Sequence, residues 1–398
     1  MIERVRLIPG AFSRQRKLPL ARMAAMMLSG MCASVQAELD HLFAQLCGSP
    51  VRTRHVSAQA FSKARKGFSA TLFSLANERL LELVASLIDA HRWNGLRVIA
   101  ADGSRLQVST RAGAHLDVDH QAFALYIAGA ELTLHASLHP ADGSERQMLF
   151  EALDHVQPLT DLLVLDRGFS GTTTIASLVQ SQRHFCLRVD RVGWRCVEHF
   201  LRSGQNEAIV TLAAPDRADA QTYELQRLPS TVRLIRDTTP SGSVRVLMTS
   251  LLDAQSYPWH TFGALYHRRW RIEEAFKRLK HRLRLEAATG LTHLAFQQDF
   301  AAKILGDNLH TVLTSLADGD DDAGSEPEPR ARPNRTYALG ALKPILAGCL
   351  LRLIHCINGL PNALLACAQT RCRIQPNRSY SRPPRRKPRV FSTYKLSA

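Results

Sequence analysis

The succession of apolar runs between residues 96 and 190 narrows the possible folds of this chain more than any other feature. "LRVIAADGS", "AFALYIAG" and "ELTLHASLH" are three strand-like runs, "SERQMLFEAL" has helical spacing, and "DLLVLDRGFSG" is a fourth apolar run. "GTTTIASLVQSQ" is helical again and "HFCLRVD" closes the series. Strand-like runs bounded by Gly, Asp and Ser, alternating with helical ones, predict a β-β-β-α-β-α-β order, hence a mixed sheet covered by helices. Asp102 ends the first run and Asp166 the fourth, and each is followed by a Gly-containing turn. A lone carboxylate there is usually a turn or cap residue. Two of them at strand ends place acids on one rim of a sheet.

The flanks have other textures. The first ~85 residues are helical in spacing. Ser57 is an N-cap for "AQAFSKARK", which runs into "GFSATLFSLANERLLELV", a helix, a short turn and a second helix with Lys63, Arg65 and Lys66 exposed at the join. This predicts either a helix-turn-helix reader of DNA or an ordinary helical hairpin with solvated cations. Residues 190–248 hold short strands with the turn signals "LRSGQ" and "TTPSGS", an insertion that "VRVLMTSL" closes. A long helix is expected from Thr261 to Leu285. The acidic, Pro- and Gly-rich residues 317–335 form a linker, followed by the apolar helical "YALGALKPILAGCLLRLIHCINGL" and a basic tail. The expected organisation is a helical N-terminal region (1–90), an α/β domain (91–316), the linker, and a helical C-terminal segment with basic tail (336–398).

Charge narrows the partner. The 398 residues carry a formal net charge of +16, and residues 371–398 alone hold nine Lys or Arg and no acid. Such an excess fits a polyanion, most often nucleic acid. The eight cysteines form no C-x-x-C pair and no zinc-type spacing, which fits free thiols in a reducing cytoplasm. No apolar run reaches the roughly 18–20 residues of a membrane span, and Arg22 interrupts the nearest candidate for a leader.

Within this basic chain, "YHRRWRIEEAFKRLK" at residues 266–280 places two glutamates among cations. On a helix at about 100° per residue, Tyr266, Arg269, Glu273 and Lys280 share an arc of roughly 60°, and Glu274 falls outside it. Leu265, Ile272, Phe276, Leu279 and Leu283 form the adjoining apolar face. Glu273 can pair with Arg269 and Lys277 at four-residue spacing. Together with Asp102 and Asp166 it can also complete a cage for hard divalent cations. Phosphodiester attack needs that help: two Mg²⁺ ions about 3.5–4 Å apart activate the attacking oxygen and stabilise the leaving one. The surrounding arginines and lysines then serve phosphate.

Tyr266, Arg269, Glu273 and Lys280 reproduce the Y-(2)-R-(3)-E-(6)-K signature of the DDE transposases of bacterial insertion sequences, the insertion sequence four family, which this chain resembles. "DGS" at Asp102 and "LDRGFSG" at Asp166 resemble its two aspartate motifs, and "AFSRQRKLPLARMAAMML" with "SAQAFSKARK" resembles its end-binding region, so the resemblance spans roughly residues 10–315. It implies a ribonuclease H-like core interrupted by a β-rich insertion. Asp102, Asp166 and Glu273 would bind two Mg²⁺ ions, with Mn²⁺ a possible substitute, and Tyr266, Arg269 and Lys280 would hold the DNA strand. The resemblance further implies a homodimer acting on terminal inverted repeats and target DNA in the bacterial nucleoid. Of the four tryptophans only Trp194 falls in the insertion, where the family can stack a flipped base; a core role is expected of it instead. A decayed DNA-binding relative and a stand-alone nuclease are the competing functions.

Other polar clusters are set aside. "HLDVDH" at residues 115–120 is expected to be a solvated turn, and Asp161 lies five residues before Asp166, on the opposite face of its strand. Ser104 and Ser170 follow the aspartates without a His or Lys partner at a recognisable spacing.

Overall fold

Apolar runs without alternation, such as those before Asp102 and Asp166, are expected of strands buried on both faces. A computed structural model of the protein, describing residues 2–52, 54–108, 110–112, 115–117, 120–239, 242–290, 292–318 and 331–373, bears this out. The chain begins with helices α1 (Ile2–Val5), α2 (Leu20–Leu28), α3 (Val35–Leu46), α4 (Ala58–Arg65), α5 (Thr71–Leu83) and α6 (Ala85–Asp89). Strands β1 (Arg97–Leu106), β2 (Thr110–Ala112), β3 (His115–Asp117), β4 (His120–Ile127) and β5 (Leu132–Pro140) follow, then α7 (Glu145–Ala152), β6 (Asp161–Leu165), α8 (Thr172–Gln180) and β7 (His184–Val189). Next come α9 (Arg195–Ser203), β8 (Glu207–Leu212), α10 (Arg217–Thr222), β9 (Ser230–Thr238) and β10 (Val244–Thr249). The last elements are α11 (Phe262–His267), α12 (Trp270–His281), α13 (His293–Asp318), β11 (Ala331–Pro333), α14 (Arg335–Leu350), α15 (Ile354–Gln369) and β12 (Arg371–Arg373). They divide into two compact units, one of Val84–Arg105 with Gln121–Phe276, the other of Met1–Leu83, Leu106–His120 and Lys277–Ala398.

The first unit is built on an eight-stranded mixed sheet ordered β5-β4-β1-β6-β7-β10-β9-β8. β1, β6 and β7 run parallel, whereas β10, β9 and β8 continue antiparallel. On one face Ile99, Ala101, Leu163 and Leu165 bury against Met148 and Leu149 of α7 and Ile175 and Leu178 of α8. On the other, Val98, Leu162 and Val164 bury against Phe262, Leu265 and Tyr266 of α11. Residues 190–248, expected as an insertion, supply the strands that widen this sheet beyond β7, and Trp194 is half-buried against its core as expected.

Two expectations are corrected here. β1 does not stop at Asp102 but runs to Leu106, because β4 flanks it on the side away from β6. The single helix expected over Thr261–Leu285 is two. The amides of Arg268 and Arg269 donate to carbonyls three residues back, at Leu265 and Tyr266, and this tighter winding separates α11 from α12. α12 ends at His281, and Arg284 beyond it takes a left-handed conformation (φ 48°) that cannot continue a helix. The predicted apolar face survives the break, since Leu265, Ile272, Phe276, Leu279 and Leu283 are all buried.

The second unit is helical. Met23, Met26, Leu39, Phe43, Phe61, Phe68 and Phe73 share its main core with Ala302 and Leu305 of α13. Ser57 caps α4 by accepting from the Ala60 amide, as its place in the sequence predicts. Lys63 and Lys66 are exposed, but Arg65, expected to be exposed with them, is buried. Its guanidinium donates to Asp299 and Gln298 of α13 and to the Thr289 hydroxyl, so it is a structural cation and not a DNA contact. A second buried pair, Arg278 with Asp307, is bidentate at 2.6 Å. The apolar segment beyond the linker splits into α14 and α15, with Arg352 left-handed between them.

His120, expected in a solvated turn, is instead 3% exposed, stacked on His293 and edge-on to Phe296. Residues 118 and 119, most of the expected linker (319–330) and the basic tail from 374 lie outside the described residues. The eight cysteines are free, and no helix among the described residues is long and apolar enough to cross a membrane.

The Arg65–Asp299 pair yields a stability prediction. Asp299→Ala strands a buried guanidinium and should cost about 3–5 kcal/mol, whereas Lys63→Ala should stay within about 0.5 kcal/mol. Urea denaturation of the two variants beside the parent chain checks both.

Candidate functional site

The pairing of β1 with β6 sets the geometry. Ala100 stands opposite Val164, and continuing that register two residues along each chain sets Asp102, within β1, level with Asp166, one residue past the end of β6. Residues two apart share a face. Both aspartates therefore follow Val98, Leu162 and Val164 toward the side that α11 covers. Asp161 lies on the opposite parity, as predicted, and is spent on a bidentate bond with Arg97 at 2.7 Å. Each aspartate is held by the turn after it: the Gly103 amide donates to Asp102 Oδ1 at 3.0 Å, and the Arg167 amide to Asp166 Oδ1 at 2.7 Å.

The break between α11 and α12 aims the signature residues at this rim. The buried Tyr266 hydroxyl donates to Asp166 Oδ1 at 3.2 Å, and the Arg269 guanidinium lies 5.8 Å from the Tyr266 ring centre. Arg269 Nη2 donates to Glu273 Oε1 at 2.9 Å. Glu273 is half-buried and Glu274 exposed, as the helical arc predicts. Tyr266, Arg269, Asp166 and Glu273 thus form one connected chain of contacts. Lys280 lies in the last turn of α12 and, like Lys63 and Lys66, belongs to the helical unit.

Electrostatics bind Asp102 to the same group. Its carboxyl is raised to about 7, first by burial and then by the charges of Glu145 and Glu273, against the opposing pull of Arg269. Burial also raises Tyr266, and the Asp166 charge adds to it. Two residues here carry no signal in the sequence. Glu145, at the start of α7, is raised by burial and by Asp166, and nothing in "SERQMLFEAL" separates it from an ordinary first-turn acid. Arg188 of β7 lies within electrostatic reach of Tyr266, and its buried Nε–H, like that of Arg269, has no hydrogen-bond partner among the described residues.

The donor set is all carboxylate oxygen, the chemistry that Mg²⁺ and Mn²⁺ prefer. Among the described residues no three His, Cys, Asp or Glu side chains stand together as a ready ion cage. In this structure Glu273 is engaged by Arg269 and Asp166 by Tyr266. The fit rests on Asp102, half-buried beside two further acids, a charge distribution that a divalent cation relieves.

The family model described as "Transposase DDE domain" matches residues 93–306. The transposase InsG of insertion sequence element IS4 from Escherichia coli K12 is 25% identical over 292 residues, 69% of this chain. The chain spans 65% of that relative's length. A cryo-EM structure of the piggyBac transposase synaptic complex with hairpin DNA is similar at a TM-score of 0.42 and 10% identity, covering 89% of this chain and 78% of that one.

Asp102 makes a pH prediction for the protein in EDTA. An acid raised in the folded state binds a proton that the unfolded chain has lost, so stability falls as pH rises from about 4 to about 7 and is flat above. Asp102→Asn removes that loss and should be more stable than the parent by about 2–4 kcal/mol at pH 8, with no gain below pH 4. Denaturation midpoints at the two pH values check it.

Proposed function

Because the chain belongs to the transposase DDE domain family, we propose that it is a DNA transposase that cuts at the ends of its element and joins the freed 3′ ends to target DNA. One observation carries this reading: the register that brings Asp102 level with Asp166, with Glu273 acting on Asp102 from α12. The order β5-β4-β1-β6-β7, with β1 central and β6 and β7 parallel to it, supports a ribonuclease H-like core for residues 91–316, widened by the inserted strands.

Asp102, Asp166 and Glu273 are the residues that would hold two divalent ions, Mg²⁺ with Mn²⁺ as substitute. When bound there, the ions supply charge to the attacking and leaving oxygens of an in-line phosphodiester displacement. The rest is done by the chain. Tyr266 fixes the orientation of the Asp166 carboxylate. Arg269, between Tyr266 and Glu273, and Arg188 put guanidinium charge beside the acids, which suits a DNA phosphate. Lys280, with Lys63 and Lys66, adds charge along the DNA, and the basic tail adds salt-sensitive affinity. The chain acts as a homodimer that holds both inverted-repeat ends.

The test uses a duplex carrying one terminal repeat, with Mg²⁺. Asp102→Asn, Asp166→Asn and Glu273→Gln should each bind the duplex and reduce cleavage and joining to background. Full activity in any one variant removes that residue from the site. Scission without joining selects a nuclease, and binding without scission in the parent chain selects an inactive relative.

A further inference from the structure

Glu145 reaches the aspartates from the opposite side of the sheet. α7, which it begins, packs Met148 and Leu149 on the face away from α11. Gly103, directly after Asp102, has the parity of that face, and the space where its side chain would lie belongs to Glu145. A Cβ on residue 103 would overlap Glu145 Oε1 and stand 2.6 Å from Gln121 Nε2. The other carboxylate oxygen, Oε2, is 3.9 Å from where a Cβ on Gly168 would be, in the turn that carries Asp166. One oxygen of Glu145 is therefore directed to each aspartate turn. The next residue fastens the arrangement, since Arg146 Nε donates to the Gly168 carbonyl at 3.0 Å.

An acid in a first helical turn can simply serve the helix dipole. Here its hydrogen bond is not to a helix amide: Gln121 Nε2 donates to Oε1 at 3.1 Å, and Ser144 makes no side-chain cap. That neutral amide is the only hydrogen-bond partner of Glu145 among the described residues. A half-buried carboxylate placed beside two others with no cation of its own is costly unless a cation arrives. Resting on the metal-dependent reading above, we propose that Glu145 is a fourth metal-facing carboxylate of the cleavage site, admitted by the bare backbone at Gly103 and shared between Asp102 and Asp166. Two ions that each take six oxygens leave room for it, because three carboxylates and a phosphate fill only part of that demand.

The experiment titrates Mn²⁺ calorimetrically into the full-length protein bound to a pre-cleaved end duplex, for the parent, Glu145→Gln, Glu145→Asp and Asp102→Asn. Glu145→Gln should weaken Mn²⁺ binding about 10-fold and raise the Mg²⁺ concentration for half-maximal cleavage by a similar factor, with duplex affinity unchanged and the melting temperature not lowered. Glu145→Asp should recover part of both and serves as the second variant should Glu145→Gln lower the melting temperature. Parent-like Mn²⁺ affinity in Glu145→Gln, with binding lost in Asp102→Asn, overturns the proposal and leaves the three-acid site standing. Parent-like affinity in Asp102→Asn as well overturns the metal-dependent reading itself.

Discussion

One pairing register, that of β1 with β6, holds everything else in place. With Arg97 opposite Asp161 and Ala100 opposite Val164, the two strands deliver Asp102 and Asp166 to the same level of the sheet. The bidentate Arg97–Asp161 bond sits at the start of that register. A slip of one residue would move every side chain of a strand to the other face and send the two acids to opposite sides. The apolar residues between the salt bridge and the acids make such a slip expensive, because Val98, Ile99, Leu162 and Leu163 are all buried. Core packing and site geometry are therefore one requirement met by the same residues.

The acids so placed oppose the stability of the fold that places them. Asp102 is pushed up to about 7 by burial and by its acidic neighbours, so ionising it at neutral pH works against the folded state. Arg269 beside it moderates this without removing it. Arg269 is drawn off by Glu273, and Tyr266 gives its hydroxyl to Asp166. The core beneath must supply the difference, and the parallel strands buried on both faces are where it does so.

Much of this was legible in the sequence because it rests on local rules. The succession of strands and helices from β1 to β7, apart from the short β2 and β3, followed from runs and breakers, the Ser57 cap from residue type, and the choice of Glu273 over Glu274 from helical phase. The remainder depends on partners far apart in sequence. Arg65 looks solvated beside Lys63 and Lys66, and only the approach of Asp299, 234 positions away, makes it internal. Glu145 looks like a first-turn acid until Gly103 and Gly168 are brought beside it. α13 escapes the apolar pattern because it buries polar residues, among them Gln298, Asp299, Asp307 and Asn308, against partners that other segments supply.

The corrected helix also shows how the signature residues reach the rim. On one uninterrupted helix, Tyr266 and Arg269 would be neighbours on a surface arc and nothing more. The tightened turn at Arg268 and Arg269 ends the helix that docks Phe262 and Leu265 on the sheet and starts another that buries Ile272 and Phe276. Tyr266, at the end of the first, reaches Asp166; Glu273, in the first turn of the second, lies within reach of Asp102; Arg269, in the turn, contacts both Tyr266 and Glu273. Three residues before the turn and four after it are the distances at which one guanidinium can tie a residue facing each aspartate. Separations of three and four residues also bring side chains together on one continuous helix, so helical phase finds the right residues in the sequence even though it misses the break between α11 and α12.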